Sequence, residues 1–250
     1  MIVKEFGDNT KPTVILLHGG GLSWWSLEAA AMELALEYHV LTPVLDGHGE
    51  DGDTVFVSIE ESARKLLAYI DECFGGKVFA LGGLSIGAQI VTHILSIRPT
   101  VTQYAIIESA LVCPIKSAAA IAGTTKLFYG LTKKRWFAKW QAKALCVPDN
   151  QFERYFKDSL RISKLSLVNM TRSNGNFKLR KEISKTAANV LVLAGEKEIA
   201  VMRRSADMIR EAIPNSVLRI IPNMKHGELS LTQPTAYVAM LRDFFAGKPD

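Results

Sequence analysis

Thr13-Val14-Ile15-Leu16-Leu17 is an unbroken apolar run rich in β-branched residues, and it ends in the polar-glycine stretch His18-Gly19-Gly20-Gly21. Four apolar residues in succession after a β-branched threonine, without alternation, predict a strand covered on both faces. Residues 25–37 carry a helical pattern, and His39-Val40-Leu41-Thr42-Pro43-Val44 predicts a second strand. A helix follows over 58–74, where Ser58 and Glu61 have the spacing of a capping box. A third strand is predicted over 77–81, a helix over 86–97 that Pro99 stops, and a fourth strand over 103–107. Strands that alternate with helices of this length predict an α/β fold. Its sheet should be mostly parallel, with about six to eight strands and helices on both faces.

The alternation breaks after Ile107. Residues 113–185 are helical in pattern, aromatic and basic, and strand patterns return only at Asn189-Val190-Leu191-Val192-Leu193-Ala194-Gly195. A helix over 202–212, a strand over 216–222 and a last helix over 234–245 complete the chain. Charge marks the same boundaries. Of the chain's net +5, residues 113–185 hold +12 and the remainder −7. The two outer segments, 1–112 and 186–250, therefore read as one core, and 113–185 as a helical lid inserted into it.

Gly83-Leu84-Ser85-Ile86-Gly87 lies between the third strand and its helix, the context a G-x-S-x-G nucleophile elbow requires. The tight turn strains the serine's backbone, glycines let strand and helix pass closely, and the helix N-terminus favours negative charge above Ser85. With His18-Gly19-Gly20-Gly21 after the first strand, the chain resembles the α/β-hydrolase superfamily. That resemblance implies an oxyanion hole made by the N–H groups of Gly20 (Gly21 as the fallback) and Ile86. It implies that His226, in Met224-Lys225-His226-Gly227 between the last strand and last helix, is the general base. It puts the triad acid three residues past Gly195, at Glu198, with Glu196 and Glu108 as alternatives. The other histidines, His18, His39, His48 and His93, read as structural, and Asp46-Gly47-His48-Gly49 as a loop support.

The expected reaction is cleavage of a carboxylic ester or thioester through an acyl-enzyme, with no organic cofactor and no metal. A C–C bond hydrolase or lyase on the same scaffold is the alternative, and a non-catalytic binding protein of this fold a further one. Serine at the nucleophile position disfavours dehalogenases and epoxide hydrolases. Lys133, Lys134, Arg135 and Lys139 beside Trp136, Phe137 and Trp140 suit a small-molecule acyl substrate that is anionic or amphipathic. The bland alternative is core aromatics under a solvated basic face. No nucleic-acid module accompanies the charge, and no apolar run is long enough for stable membrane insertion. No signal peptide is visible, and Cys73, Cys113 and Cys146 read as reduced, buried thiols of a cytoplasmic protein.

Overall fold

The computed structural model describes residues 1–247; positions 248–250, the end of the expected core segment 186–250, lie outside the described residues. The apolar runs form the middle of a seven-stranded sheet: β1 (Ile2–Phe6), β2 (Thr13–Leu17), β3 (His39–Val44), β4 (Val78–Leu84), β5 (Thr102–Glu108), β6 (Asn189–Gly195) and β7 (Ser216–Ile221). Their spatial order is β1-β3-β2-β4-β5-β6-β7, parallel throughout except for the antiparallel pair β1 and β3. β1 has no counterpart in the apolar pattern. It is an edge strand with one partner, and Lys4 and Glu5 within it pair with Glu50 and His39.

Among the described residues, ten α-helices accompany the strands. They are α1 (Glu28–Leu34), α2 (Ile59–Phe74), α3 (Ile86–Ile97), α4 (Ala118–Phe128), α5 (Arg135–Ala144), α6 (Phe152–Arg161), α7 (Lys164–Asn176), α8 (Ala200–Ala212), α9 (Glu228–Thr232) and α10 (Pro234–Phe245). Successive strand residues point to opposite faces, so each central strand feeds two cores. Val14, Leu16, Ala80 and Ile106 pack with α1 and α10. Ile15, Leu17, Leu81 and Ile107 pack with α2, α3 and α8. The Ser58 hydroxyl caps α2 by accepting the Glu61 N–H at 3.2 Å. The reciprocal half of the expected box is absent, because the Glu61 carboxylate pairs with Arg64 instead.

Helices α4 to α7 form the insertion between β5 and β6. The chain leaves and returns at one place: the Ile115 N–H donates to the Gly175 carbonyl (2.7 Å) and the Leu179 N–H to that of Val112 (3.4 Å). Beyond it, Phe177, Ile183 and Ala188 are buried in the core beneath the sheet. The insertion is fastened to the core by polar as well as apolar contacts. Trp25 Nε1 donates to Asp158 (2.7 Å), and the hydroxyls of Ser166 and Ser173 accept the N–H groups of Phe56 (3.1 Å) and Ile59 (3.0 Å). Leu22, Trp25, Leu84, Ala138 and Tyr155 form a small apolar cluster at the same junction.

The cysteines differ from the expectation of burial. Cys73 is exposed, Cys113 and Cys146 are half-buried, and all three are free. Cys73 sits in the last turn of α2, on the side of that helix turned away from the core.

Candidate active site

The order β3-β2-β4 means that the chain runs outward from β2 to β3 and then crosses back to β4. Connections diverge from the carboxyl ends of β2 and β4 at that point and leave a crevice, the usual ligand position in an open parallel sheet. His18-Gly19-Gly20 leaves β2 there, and Ser85 leaves β4.

Ser85 has φ 54° and ψ −113°, in a region that side chains rarely occupy. Its N–H donates to the Glu108 carbonyl and its carbonyl accepts the Gln89 N–H, both at 2.9 Å, so neighbouring backbone holds the strained turn. Gly83 and Gly87 make the turn feasible. A Cβ on Gly83 would lie 2.4 Å from the Gly87 backbone, and one on Gly87 would lie 2.6 Å from the Leu17 carbonyl oxygen.

His226 Nε2 lies 3.0 Å from Ser85 Oγ, and its Nδ1 lies 3.0 Å from Glu198 Oε2. The other carboxylate oxygen of Glu198 accepts the Ser109 hydroxyl (2.7 Å) and the Gly195 N–H (2.9 Å). Burial pushes the Glu198 carboxyl up, but hydrogen bonds from His226, Ser109 and Gly195 outweigh it and hold it below its ordinary value. An ionised Glu198 accepts the proton on Nδ1, which leaves the Nε2 lone pair facing the Ser85 hydroxyl. Ser109 also accepts the N–H of Gly227 at 3.1 Å, so it ties the Glu198 carboxylate to the loop that carries His226. Ser109 is not among the residues that the sequence motifs single out. Its only signal is its place directly after β5, and its φ of 56° is visible only in the structure.

The alternatives for the acid lie elsewhere. Glu196 accepts the Asn223 N–H at the surface. Glu108 is buried and accepts the Ser230 N–H at 3.3 Å, while its Oε2 has no hydrogen-bond partner among the described residues. Burial pushes its carboxyl up to about 7, against the opposing pull of the Ser230 hydrogen bonds.

Gly20 and Ile86 adjoin one another: a Cβ on Gly20 would touch the Ile86 side chain at 3.6 Å. Both line the cavity beside Ser85 and His226. Ile86 opens α3, so its N–H belongs to the unpaired first turn of a helix. The other histidines stand apart from this arrangement. His18 is fully buried with Nε2 accepting the Leu45 N–H, and burial pushes its imidazole down to about 3. His39 bonds Thr13 and Glu5, and the His48 ring bonds the Asp46 carbonyl.

The cavity over Ser85 has a volume of about 340 Å³. The insertion supplies most of its wall, with uncharged polar groups (Thr132, Gln141, Ser159, Thr171, Asn174) among apolar ones. None of the four cations expected near an anionic substrate lines it. Lys133 instead donates to the carbonyls of Ser159, Leu160 and Ile162, and Arg135 pairs with Glu153. Trp136 and Trp140 are exposed, which removes the alternative that they are core aromatics.

The family model described as "Alpha/beta hydrolase family" matches residues 14–240. The chain belongs to that family. Among solved structures, the hydrolase is similar to a thermophilic esterase from Thermogutta terrifontis (18% identity, 98% of this chain and 93% of that one, TM-score 0.77). It is also similar to a bromoperoxidase from Bacillus anthracis (18% identity, TM-score 0.82, 98% and 95% covered). A third is the enol-lactonase from Burkholderia xenovorans LB400 (14% identity, TM-score 0.81, 98% and 96% covered). A search of curated proteins finds no match. At these identities the structures share a fold with this hydrolase. No helix among the described residues is long and apolar enough to cross a membrane.

Proposed function

We propose that this hydrolase cleaves carboxylic esters or thioesters by acyl transfer, with Ser85 as nucleophile, His226 as general base and Glu198 as the acid that orients it. The observation that carries the reading is the unbroken relay from Ser85 Oγ to His226 Nε2 and from Nδ1 to the Glu198 carboxylate, each step 3.0 Å. As Ser85 Oγ attacks the carbonyl carbon, its proton passes to Nε2 and the carbonyl oxygen gains charge between the N–H groups of Gly20 and Ile86. Collapse of the adduct expels the alcohol or thiol, which takes the proton from His226. Water then enters with His226 again as base, and the acyl group leaves Ser85 as a carboxylic acid.

The neutral cavity favours an uncharged acyl group with hydrogen-bonding substituents, small enough for about 340 Å³. An anionic or amphipathic substrate would have to place its charged head outside that cavity, on the basic lid. The likeness to proteins described as an esterase and an enol-lactonase supports an ester substrate. Three free thiols, one of them exposed, suit a cytoplasmic setting.

The test is labelling with a fluorophosphonate, followed by peptide mapping and a panel of neutral esters. The adduct is expected on Ser85, and Ser85→Ala should lose both label and turnover while melting normally. An adduct on another serine, with Ser85→Ala still turning over esters, would sink the reading.

A further inference from the structure

The insertion presents an unusual outer surface. Leu127 is 77% exposed, Phe128 51%, Trp136 67% and Trp140 64%. Trp136 and Trp140 flank Phe137 on α5, and Leu127 and Phe128 end α4; large apolar side chains left exposed on one inserted element mark an interaction site more often than chance. Helix α4 is apolar nearly all round, and yet only Ala118 and Ala122 of it are buried. Helix α5 buries Ala138 and Ala142. At 100° per residue, Trp136, Trp140 and Lys143 fall on the opposite side of α5, with Lys139 at their edge.

The stretch of chain that carries these residues is basic, and the carboxylate beside α5 in the fold, Glu153, is bound to Arg135. Residues 109–148 contain seven basic side chains and no acidic one. Lys133 and Arg135 are engaged within the fold. Lys126, Lys134, Lys139 and Lys143 have no ion pair among the described residues, although the rest of the chain is acidic on balance.

We infer that this face of the lid docks on an anionic lipid bilayer surface. Exposed tryptophan and phenylalanine suit the depth of the headgroups, lysines suit an anionic leaflet, and the two occur together in elements that lie on a membrane without spanning it. A second copy of the chain fits less well. A symmetric contact would set the lysines of one copy against those of the other, and Glu153, the carboxylate beside α5, is already bound to Arg135. Nucleic acid offers phosphates to the lysines but no apolar layer to Leu127 and Phe128. The same α5 supplies Gln141 to the cavity wall, and Leu145, which caps the helix, lines it too, so a docked lid brings the lipid surface close to the mouth over Ser85. The docking does not depend on the proposed ester chemistry.

The test uses full-length Ser85→Ala protein, so that no turnover alters the lipid. Flotation and tryptophan emission are measured with vesicles of phosphatidylcholine alone and of phosphatidylcholine mixed with phosphatidylglycerol. Partition onto the mixed vesicles should be at least about tenfold stronger, should weaken as salt rises, and should shift the emission to the blue. Trp136→Ala/Trp140→Ala should lower the partition at least about tenfold, and so should Lys134→Gln/Lys139→Gln/Lys143→Gln. These side chains are exposed, so both variants should melt as the parent does. Equal partition onto both vesicle types, none onto either, or binding unchanged in both variants would overturn the proposal. So would sedimentation showing concentration-dependent self-association that the tryptophan variant abolishes, since a second copy would then cover the face.

Discussion

In the proposed relay the two carboxylate oxygens of Glu198 have separate tasks. One meets His226 and the other is held by Ser109 and Gly195, so the carboxylate cannot rotate away from the imidazole. Glu198→Gln preserves the shape but removes the charge that would stabilise an imidazolium, and an amide NH₂ facing Nδ1 selects the wrong tautomer. A fall in kcat of at least about 10² is expected in ester assays, with little change in melting temperature. Glu196→Gln, which alters a surface carboxylate bonded to the Asn223 N–H, should remain near the parent rate in the same assay. At this scale the sequence was readable where chemistry follows short local motifs. Ser85 and His226, which the fold brings within 3.0 Å of each other, each sit in a few distinctive residues beside a strand end. Ser109 carries no such signature, because its role depends on Glu198 and Gly227, 89 and 118 residues away.

The elements were readable in proportion to their burial. β3, β6, α3 and α10 match the spans expected from hydrophobic pattern, since both faces of these strands and one broad face of each helix are covered. The edge strand β1 mixes Lys4 and Glu5 with apolar residues and gave no comparable signal. The wall of the cavity was also hidden, because it is assembled from parts of the insertion whose mutual packing no local pattern encodes. Helix α7 illustrates how that packing is secured. The buried Ser166 hydroxyl accepts the N–H of Phe56, which is itself fully buried. Ser166→Ala leaves that donor unpaired, at a cost of about 1–3 kcal/mol. Calorimetry should record a melting temperature lower by roughly 2–10 °C.

For the molecule as a whole, Glu108 links stability to pH. Its carboxyl titrates near pH 7 in the fold, because burial disfavours the charge, and nearer its ordinary value when the chain is unfolded. Between those two values the folded state holds the extra proton. The contribution is therefore fully present below the unfolded value and is lost as pH rises through about 7. Glu108→Gln supplies a permanently neutral group of the same shape. Its advantage over the parent should be absent near pH 4 and on the order of 1–3 kcal/mol at pH 8, read from denaturant titrations at the two pH values. An advantage of equal size at both would show that Glu108 is not the group responsible.

The two backbone hydrogen bonds at Val112, Ile115, Gly175 and Leu179 have a consequence for how such a protein changes over time. They make the excursion between them a cassette on a narrow neck, while the return leg through Phe177 and Ile183 stays with the core. Lengthening or replacing a loop whose ends already meet costs little in closure entropy, about 0.6 kcal/mol per doubling of its length. Versions of the cassette that keep partners for the Phe56 and Ile59 N–H groups and cover over Leu22, Trp25 and Leu84 can therefore vary in length while the strand ends beneath them stay as they are.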